Sequence, residues 1–351
     1  MVAPIERITD WQSARYDMII DVRSPAEFAD DHMPDAVNMP VFSNEERAFI
    51  GTVYKQQSPF EARRLGGIIV ARNIADQIEA HLSDKPADFT PLIHCWRGGQ
   101  RSGAFARICS EIGWRSLLLD GGYKRYRGDI MDGLAVLPDG FRPILIEGPT
   151  GTAKTRLLKA LAAVGCQILD LEALAEHRGS VLGQWPDRPQ PSQRLFESRL
   201  HHALSQMTSS RPVFIEAESA KIGNVQIPKA LWQAMGAAAG LQLEVPDLVR
   251  ARYLMAEYAH LFDDPEPLYH LVGGMRMRHG TEMARDWQVL IDTKNWQALA
   301  LSLLENHYDP AYQRSSEKRG RVIDKIWKLA DLEADTLNRT AHEIRTAYEP
   351  A

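Results

Sequence analysis

Cys95 is the residue whose type and surroundings best suit a nucleophile. It stands in His94-Cys95-Trp96-Arg97-Gly98-Gly99-Gln100-Arg101-Ser102, after the apolar run Pro91-Leu92-Ile93 and before the helix-like Gly103-Ala104-Phe105-Ala106-Arg107. Successive backbone N–H groups of such a glycine-rich loop point inward and form an anion nest. The helix that follows adds the positive end of its dipole. With Arg97 and Arg101 close by, both effects lower the thiol pKa and favour thiolate. A lone cysteine is usually a small buried hydrophobe; two glycines and two arginines around this one argue for chemistry instead.

A second anion cradle lies further on, in Gly148-Pro149-Thr150-Gly151-Thr152-Ala153-Lys154-Thr155. The strand-like Arg142–Glu147 precedes it and the helical Arg156–Val164 follows, the context that a P-loop requires. In a P-loop, backbone N–H groups wrap phosphate oxygens, the lysine neutralises charge and the hydroxyl can hold Mg2+. Lys154 and Thr155 supply those groups, with Gly148, Gly151 and Thr152 in the loop. Ala153 replaces the glycine expected before the lysine. That change is mild if the position has helical dihedrals and matters if it needs positive φ. Glu216 and Glu218, after Val213-Phe214-Ile215, compete with Asp170 and Glu172 for the acidic position beside the phosphates. Arg178, in His177-Arg178-Gly179-Ser180, and Lys221 are expected phosphate ligands.

Strands alternate with helices around both loops. Met18–Val22, Ala36–Pro40, Pro91–His94 and Trp114–Asp120 read as strands. A helix starts at Pro25 with Ser24 as N-cap, and Ala62–Leu82 has helical apolar spacing. Gln167–Asp170, Arg211–Ile215 and Leu241–Val245 are further strands, and the chain from Asp247 on is mostly helical by period. This alternation predicts α/β units with parallel sheets, with Cys95 at the carboxyl end of a strand, where such sheets place ligands. A chain of 351 residues suits two or three domains. None of its three cysteines forms a CxxC pair, which argues against zinc ribbons and thioredoxin-like sites. No apolar run has the length of a membrane span and no leader is recognisable, so a cytoplasmic enzyme is the expectation. The net charge of −5 argues against a globally basic nucleic-acid binder and leaves local patches open. One such patch is Arg314–Lys328, readable equally as a solvated helix face.

Five residues separate Cys95 from Arg101. That is the spacing of cysteine phosphatases, whereas sulfur-transferring rhodaneses usually have one residue fewer. A rhodanese-fold cysteine phosphatase fused to a nucleotide-binding or kinase-like domain is therefore a real alternative. Against it, a phosphatase needs a general acid for its leaving group, no Asp or Glu lies in the loop, and the P-loop is left unexplained.

The motifs taken together resemble bacterial tRNA 2-selenouridine synthases. The resemblance is carried by Asp21-Val22-Arg23-Ser24-Pro25-Ala26-Glu27-Phe28, Glu46-Arg47, Gly51-Thr52-Val53-Tyr54-Lys55-Gln56, the cysteine loop and Gly121-Gly122-Tyr123-Lys124. It continues through the P-loop, His177–Ser180, Gln190-Pro191-Ser192-Gln193, Phe196-Glu197, Glu218-Ser219, Lys221-Ile222-Gly223 and His307-Tyr308-Asp309-Pro310-Ala311-Tyr312. Ala153 and Ala220 depart from the pattern, and Ala220 replaces a usual arginine. The resemblance implies a rhodanese-like domain over 1–135, a P-loop NTPase/kinase-like α/β domain over 136–310, and a helical basic extension over 311–351. It implies a transferase that exchanges the sulfur of wobble 2-thiouridine in tRNA for selenium from selenophosphate, through an S-geranyl intermediate made from geranyl diphosphate. Cys95 would receive selenium as a selenylsulfide, with Arg97, Gly98, Gly99 and Arg101 holding selenophosphate. Gly148, Gly151, Thr152, Ala153, Lys154, Thr155, Arg178 and Lys221 would hold geranyl diphosphate. Arg314, Lys318, Arg319, Arg321 and Lys325 would contact the anticodon region. No tightly bound cofactor or dedicated metal site is expected, with Thr155 as the place for any Mg2+.

Overall fold

The strand leading to Cys95 is buried along its whole length, as its unbroken apolar run requires of a central parallel strand. In the computed structural model it lies within a sheet of five strands: β1 (Ile5–Ile8), β2 (Met18–Asp21), β3 (Val37–Asn38), β4 (Pro91–His94) and β5 (Ser116–Leu119). Their order is β1-β5-β4-β2-β3 and every pair is parallel. The helices Pro25–Asp30, Asn44–Gln56, Pro59–His81, Gln100–Ile112 and Gly122–Ala135 connect or follow these strands. Ile20, Ile93, Phe105, Cys109 and Leu118 meet in the core beneath the cysteine loop. The structure describes residues 2–349 apart from 13, 139, 180–182, 184, 186 and 187.

The chain folds into two compact units. The first runs to Leu134 and also takes in Pro191–His202; the second comprises Ala135–Gln190 and the chain from Ala203 on. The returning segment is anchored in the first unit by ion pairs of Arg194 with Asp30 (2.8 Å) and of Glu197 with Arg127. A linear cut near residue 135 does not anticipate this return.

The second unit holds β6 (Arg142–Glu147), β7 (Gln167–Leu169) and β8 (Pro212–Glu216), a small antiparallel pair β9 (Lys221–Ile222) and β10 (Val225–Gln226), then β11 (Gly240–Glu244) and β12 (Ile323–Lys328). Its parallel sheet has the order β12-β11-β6-β8-β7. The helix Lys154–Ala163 packs on this sheet through Leu157, Leu158 and Leu161. The segment 311–351 is not a separate helical extension. β12 pairs in parallel with β11 through Ile323–Lys328, and the helix Ala334–Tyr348 closes the same core through Leu337, Ala341 and Ile344. β12 reads Ile-Asp-Lys-Ile-Trp-Lys, mixing charged and apolar residues without regular alternation, so its period reads ambiguously; its charges suit an edge strand.

Candidate active sites

Cys95 follows directly on the end of β4, and its side chain is buried at the centre of the loop. Its Sγ accepts from Gly99 N–H and from the Ser102 hydroxyl, each at 3.3 Å. Burial pushes the thiol pKa up, but hydrogen bonds from Ser102 and the Arg97 N–H and the nearby Arg101 charge outweigh it, so the net shift is downward. Cys109 and Cys166 go the other way, pushed up by burial to about 12 and about 11. Cys95 is therefore the one cysteine of the three whose surroundings favour the thiolate.

The loop is buttressed from behind by Gly121-Gly122-Tyr123-Lys124. Tyr123 N–H donates to Cys95 O at 2.8 Å and Lys124 N–H to Trp96 O at 3.0 Å. Gly122 has φ +57°, and a Cβ there would lie 2.3 Å from Cys95 O and 2.5 Å from Gly98 N. No side chain fits, so the paired glycines are a requirement of the cradle. The Asp21-Val22-Arg23 stretch forms the floor. Arg23 is fully buried, pairs with Asp21 at 2.6 Å, donates to Asp31 O and lies 4.0 Å over the Tyr123 ring. Arg101 is held by Glu27 at 2.7 Å, and Arg47 is 3.8 Å from the same carboxylate. The Glu27 carboxylate also accepts from Ser24 N–H as the capping partner of the helix Pro25–Asp30. Arg97 is exposed at the loop's rim. Glu27 is thus engaged by arginine, and no loop carboxylate is available as a general acid.

The P-loop connects β6 to the helix Lys154–Ala163. Lys154 Nζ donates to Gly148 O at 3.0 Å and Thr152 Oγ1 to Pro149 O at 2.9 Å. Ala153 has φ +56° and ψ +38°, a left-handed conformation. The position does need positive φ, so the alanine carries strain of about 1–2 kcal/mol that a glycine would not. Buried Arg250 ties the loop down. Its Nε donates to Thr150 O at 2.9 Å while Asp309 holds its other nitrogens at 2.5 and 2.9 Å. Tyr312 Oη donates to Glu147 at 3.4 Å. The 307–312 motif is therefore a brace for the P-loop.

A cavity opens over the P-loop, lined by Lys154, Thr155, Arg178, Glu172, Glu216 and Glu218 among others. Arg178 is stacked 3.9 Å from the Trp185 ring and 5.3 Å from that of Tyr258, which fixes a cation at the cavity wall. One oxygen each of Glu172, Glu216 and Glu218 lies within 4.8 Å of the others. Thr155 Oγ1 donates to Glu172 at 3.3 Å. Burial raises all three carboxyl pKa values, repulsion from neighbouring carboxylates adds to this for Glu172 and Glu216, and Lys154 opposes. Such an oxygen cluster is what a divalent cation would use.

Residues 6–129 match the family model of the Rhodanese-like domain, and residues 141–266 match that of the tRNA 2-selenouridine synthase AAA domain. The chain is 31% identical over 336 residues to the tRNA 2-selenouridine synthase of Sulfurovum sp. (strain NBC37-1), covering 87% of this chain and 90% of that one. It is 32% identical over 337 residues to that of Shewanella sediminis (strain HAW-EB3), covering 88% and 90%. The match to the Nitrosomonas europaea enzyme is 34% identical over 244 residues, 68% of this chain and 63% of that one. The chain belongs to the tRNA 2-selenouridine synthase family. It is accordingly a tRNA-modifying transferase, and a free-standing phosphatase–kinase fusion is set aside.

Within this family enzyme, the sequence-expected residues divide into two sets. Cys95, Gly98, Gly99 and Arg101 converge in the cysteine loop, with Arg97 at its edge. Gly151, Ala153, Lys154, Thr155 and Arg178 line one cavity, whereas Lys221 is exposed on β9 and is not among its walls. Ser180 lies outside the described residues. Arg321 is not a free tRNA contact. It is nearly buried, pairs with Glu147 at 2.7 Å and donates to the carbonyls of Met235 and Ala238. Arg319 reaches the same carboxylate at 3.8 Å. Arg314, Lys318 and Lys325 remain exposed, Lys325 over the Trp327 ring at 4.2 Å. Of the four carboxylates that compete in the sequence for the acidic position, Glu172, Glu216 and Glu218 form one group, while Asp170 caps the helix Leu171–Leu174. No helix among the described residues is long and apolar enough to cross a membrane.

Proposed function

We propose that this enzyme replaces the 2-thio sulfur of a wobble uridine in tRNA by selenium, with selenophosphate as donor and geranyl diphosphate as the reagent that activates the sulfur. The observation that carries the prenyl step is a pair of cavities of opposite chemistry in the second unit. One is the P-loop cavity with Lys154 and Arg178. The other is walled almost wholly by hydrocarbon, including Leu261, Leu268, Leu271 and Leu299, with Phe262 and Trp296 stacked at 4.7 Å. Thr150, Leu254, Tyr258 and Tyr308 line both. Water needs two to four polar partners to occupy a cavity, and the apolar one offers few. A ligand with a diphosphate head and a branched hydrocarbon chain suits both together.

In the first step the thiouridine sulfur attacks C1 of the geranyl group. The S–C bond forms, the C–O bond breaks and diphosphate leaves. The P-loop N–H groups, Lys154 and Arg178 neutralise the leaving charge. Glu172, Glu216, Glu218 and Thr155 supply the hard oxygens that Mg2+ prefers. Glu216 Oε1 is buried without a hydrogen-bond partner, so the donor set fits such an ion. Bound there, Mg2+ would offset diphosphate charge. Alkylated sulfur is a good leaving group, and selenium then displaces it at the ring carbon. Cys95 serves the selenium donor, with Arg97 and Arg101 as its anion partners, and Arg314, Lys318 and Lys325 meet tRNA phosphates.

Nucleoside mass spectrometry of tRNA incubated with geranyl diphosphate tests the P-loop role. Lys154→Ala should reduce the geranylated nucleoside at least a hundredfold, since the variant leaves the diphosphate charge uncompensated. A normal geranyl yield from that variant overturns the reading.

A further inference from the structure

Selenophosphate has two atoms that a thiolate could attack, selenium and phosphorus, and the electron count separates them. The selenium is at the selenide level and the phosphorus is fully oxidised. Attack at selenium would carry selenium away as a selenylsulfide and leave phosphorus as phosphite. Obtaining phosphate by that route requires an oxidant, and nothing in this protein's described residues supplies one. Attack at phosphorus needs no redox partner.

The cysteine loop is shaped for the second course. Five residues separate Cys95 from Arg101, the spacing of loops that wrap a phosphate dianion. Gly98 takes φ +63° packed against the Gly121–Gly122 backing, where a Cβ would lie 2.5 Å from Leu119 O, so the loop can approach that backing only with glycine at this position. The Sγ atom has donors from Gly99 and Ser102 and sits at the loop's centre. One feature first told against phosphoryl chemistry: the loop has no general acid, and Glu27 is engaged by Arg101 and Arg47. A selenide leaving group removes that objection. Hydrogen selenide is a far stronger acid than an alcohol, so its anion departs without protonation.

We propose that Cys95 attacks the phosphorus of selenophosphate and releases selenide, passing through an S-phosphocysteine. The Sγ–P bond forms as the P–Se bond breaks, and selenium leaves with the electron pair as the hydrogen selenide anion, keeping the proton that selenophosphate carries near neutral pH. Water then cleaves the S–P bond, giving phosphate and the free thiol. Selenium stays at the selenide level throughout, the level required of the nucleophile that displaces the alkylated sulfur. The selenylsulfide expected from the family resemblance is replaced by this route. The inference rests on the reading of selenophosphate as donor.

The test uses the full chain and selenophosphate without tRNA. Rapid acid quench and intact-protein mass spectrometry should show one added phosphoryl group, located at Cys95 by peptide mapping and absent from Cys95→Ser. Phosphorus NMR of the products guards against a short-lived adduct: phosphate with free selenide is expected. Arg97→Ala should slow selenide release at least tenfold without changing the products. A selenium adduct on Cys95, or phosphite among the products, overturns the inference while leaving the donor assignment intact. Selenophosphate left unconsumed overturns the donor assignment and this inference with it.

Discussion

The cysteine loop and the P-loop each follow a parallel strand and lead into a helix, yet their charges are disposed in opposite ways. Around Cys95 the ionic groups are matched inside the protein: Arg23 with Asp21, Arg101 with Glu27. Around Lys154 they are not. Three carboxylates crowd together, one buried oxygen of Glu216 has no partner, and Ala153 is held in a left-handed conformation. The first site is preorganised and needs only its substrate. The second leaves clustered carboxylates, a buried unpartnered oxygen and a left-handed alanine.

The two sites also respond to pH with opposite sign. Burial raises the Asp21 carboxyl, but His94 and Arg23 outweigh it, so its pKa is lowered; Glu27 is likewise lowered, by Arg101. Burial lowers the His94 pKa as well. These groups add stability above their ordinary titration ranges and lose it as pH falls, His94 first, the carboxylates later. Glu172, Glu216 and Glu218 have raised pKa values. Their contribution is present below the ordinary carboxylate range and is lost as pH rises through the raised values.

The largest expected effect that separates the sites is on stability. Arg23→Ala strands the buried Asp21 charge and should cost about 3–5 kcal/mol by denaturant unfolding. A loss below about 1 kcal/mol would show that the pair is not the anchor of the first unit. Next comes reactivity. Ser102→Ala removes a donor to Cys95 Sγ, so the midpoint of Cys95 alkylation against pH should rise by about one pKa unit. An unmoved midpoint would assign the thiolate to Arg101 and the loop N–H groups instead. The smallest effect probes the second site. Mg2+ at five times its dissociation constant should stabilise the protein by about 1 kcal/mol, more at alkaline than at acid pH. Glu216→Gln should abolish that gain; a variant that keeps it would place the ion elsewhere.

Much of this was legible because it is local. The apolar run before Cys95, the glycine loops, the Ser24–Glu27 cap and the strand–loop–helix order are written in adjacent residues. What escaped depends on distant partners. Arg250 meets Asp309 across 59 residues, and Arg321 meets Glu147 across 174. A basic run such as Arg314–Lys328 gives no local sign that two of its arginines, Arg319 and Arg321, neutralise a buried acid. β1 and β12 are edge strands with mixed polarity, so neither has the apolar period that marks β4. The left-handed φ of Ala153 could not be read from an alanine.

The central claim is that the two sites divide the reaction. Mass spectrometry of tRNA nucleosides after incubation with Cys95→Ser, geranyl diphosphate and selenophosphate tests it most directly. The account predicts that S-geranyl-2-thiouridine accumulates and 2-selenouridine is absent. Full conversion to 2-selenouridine by that variant would contradict it.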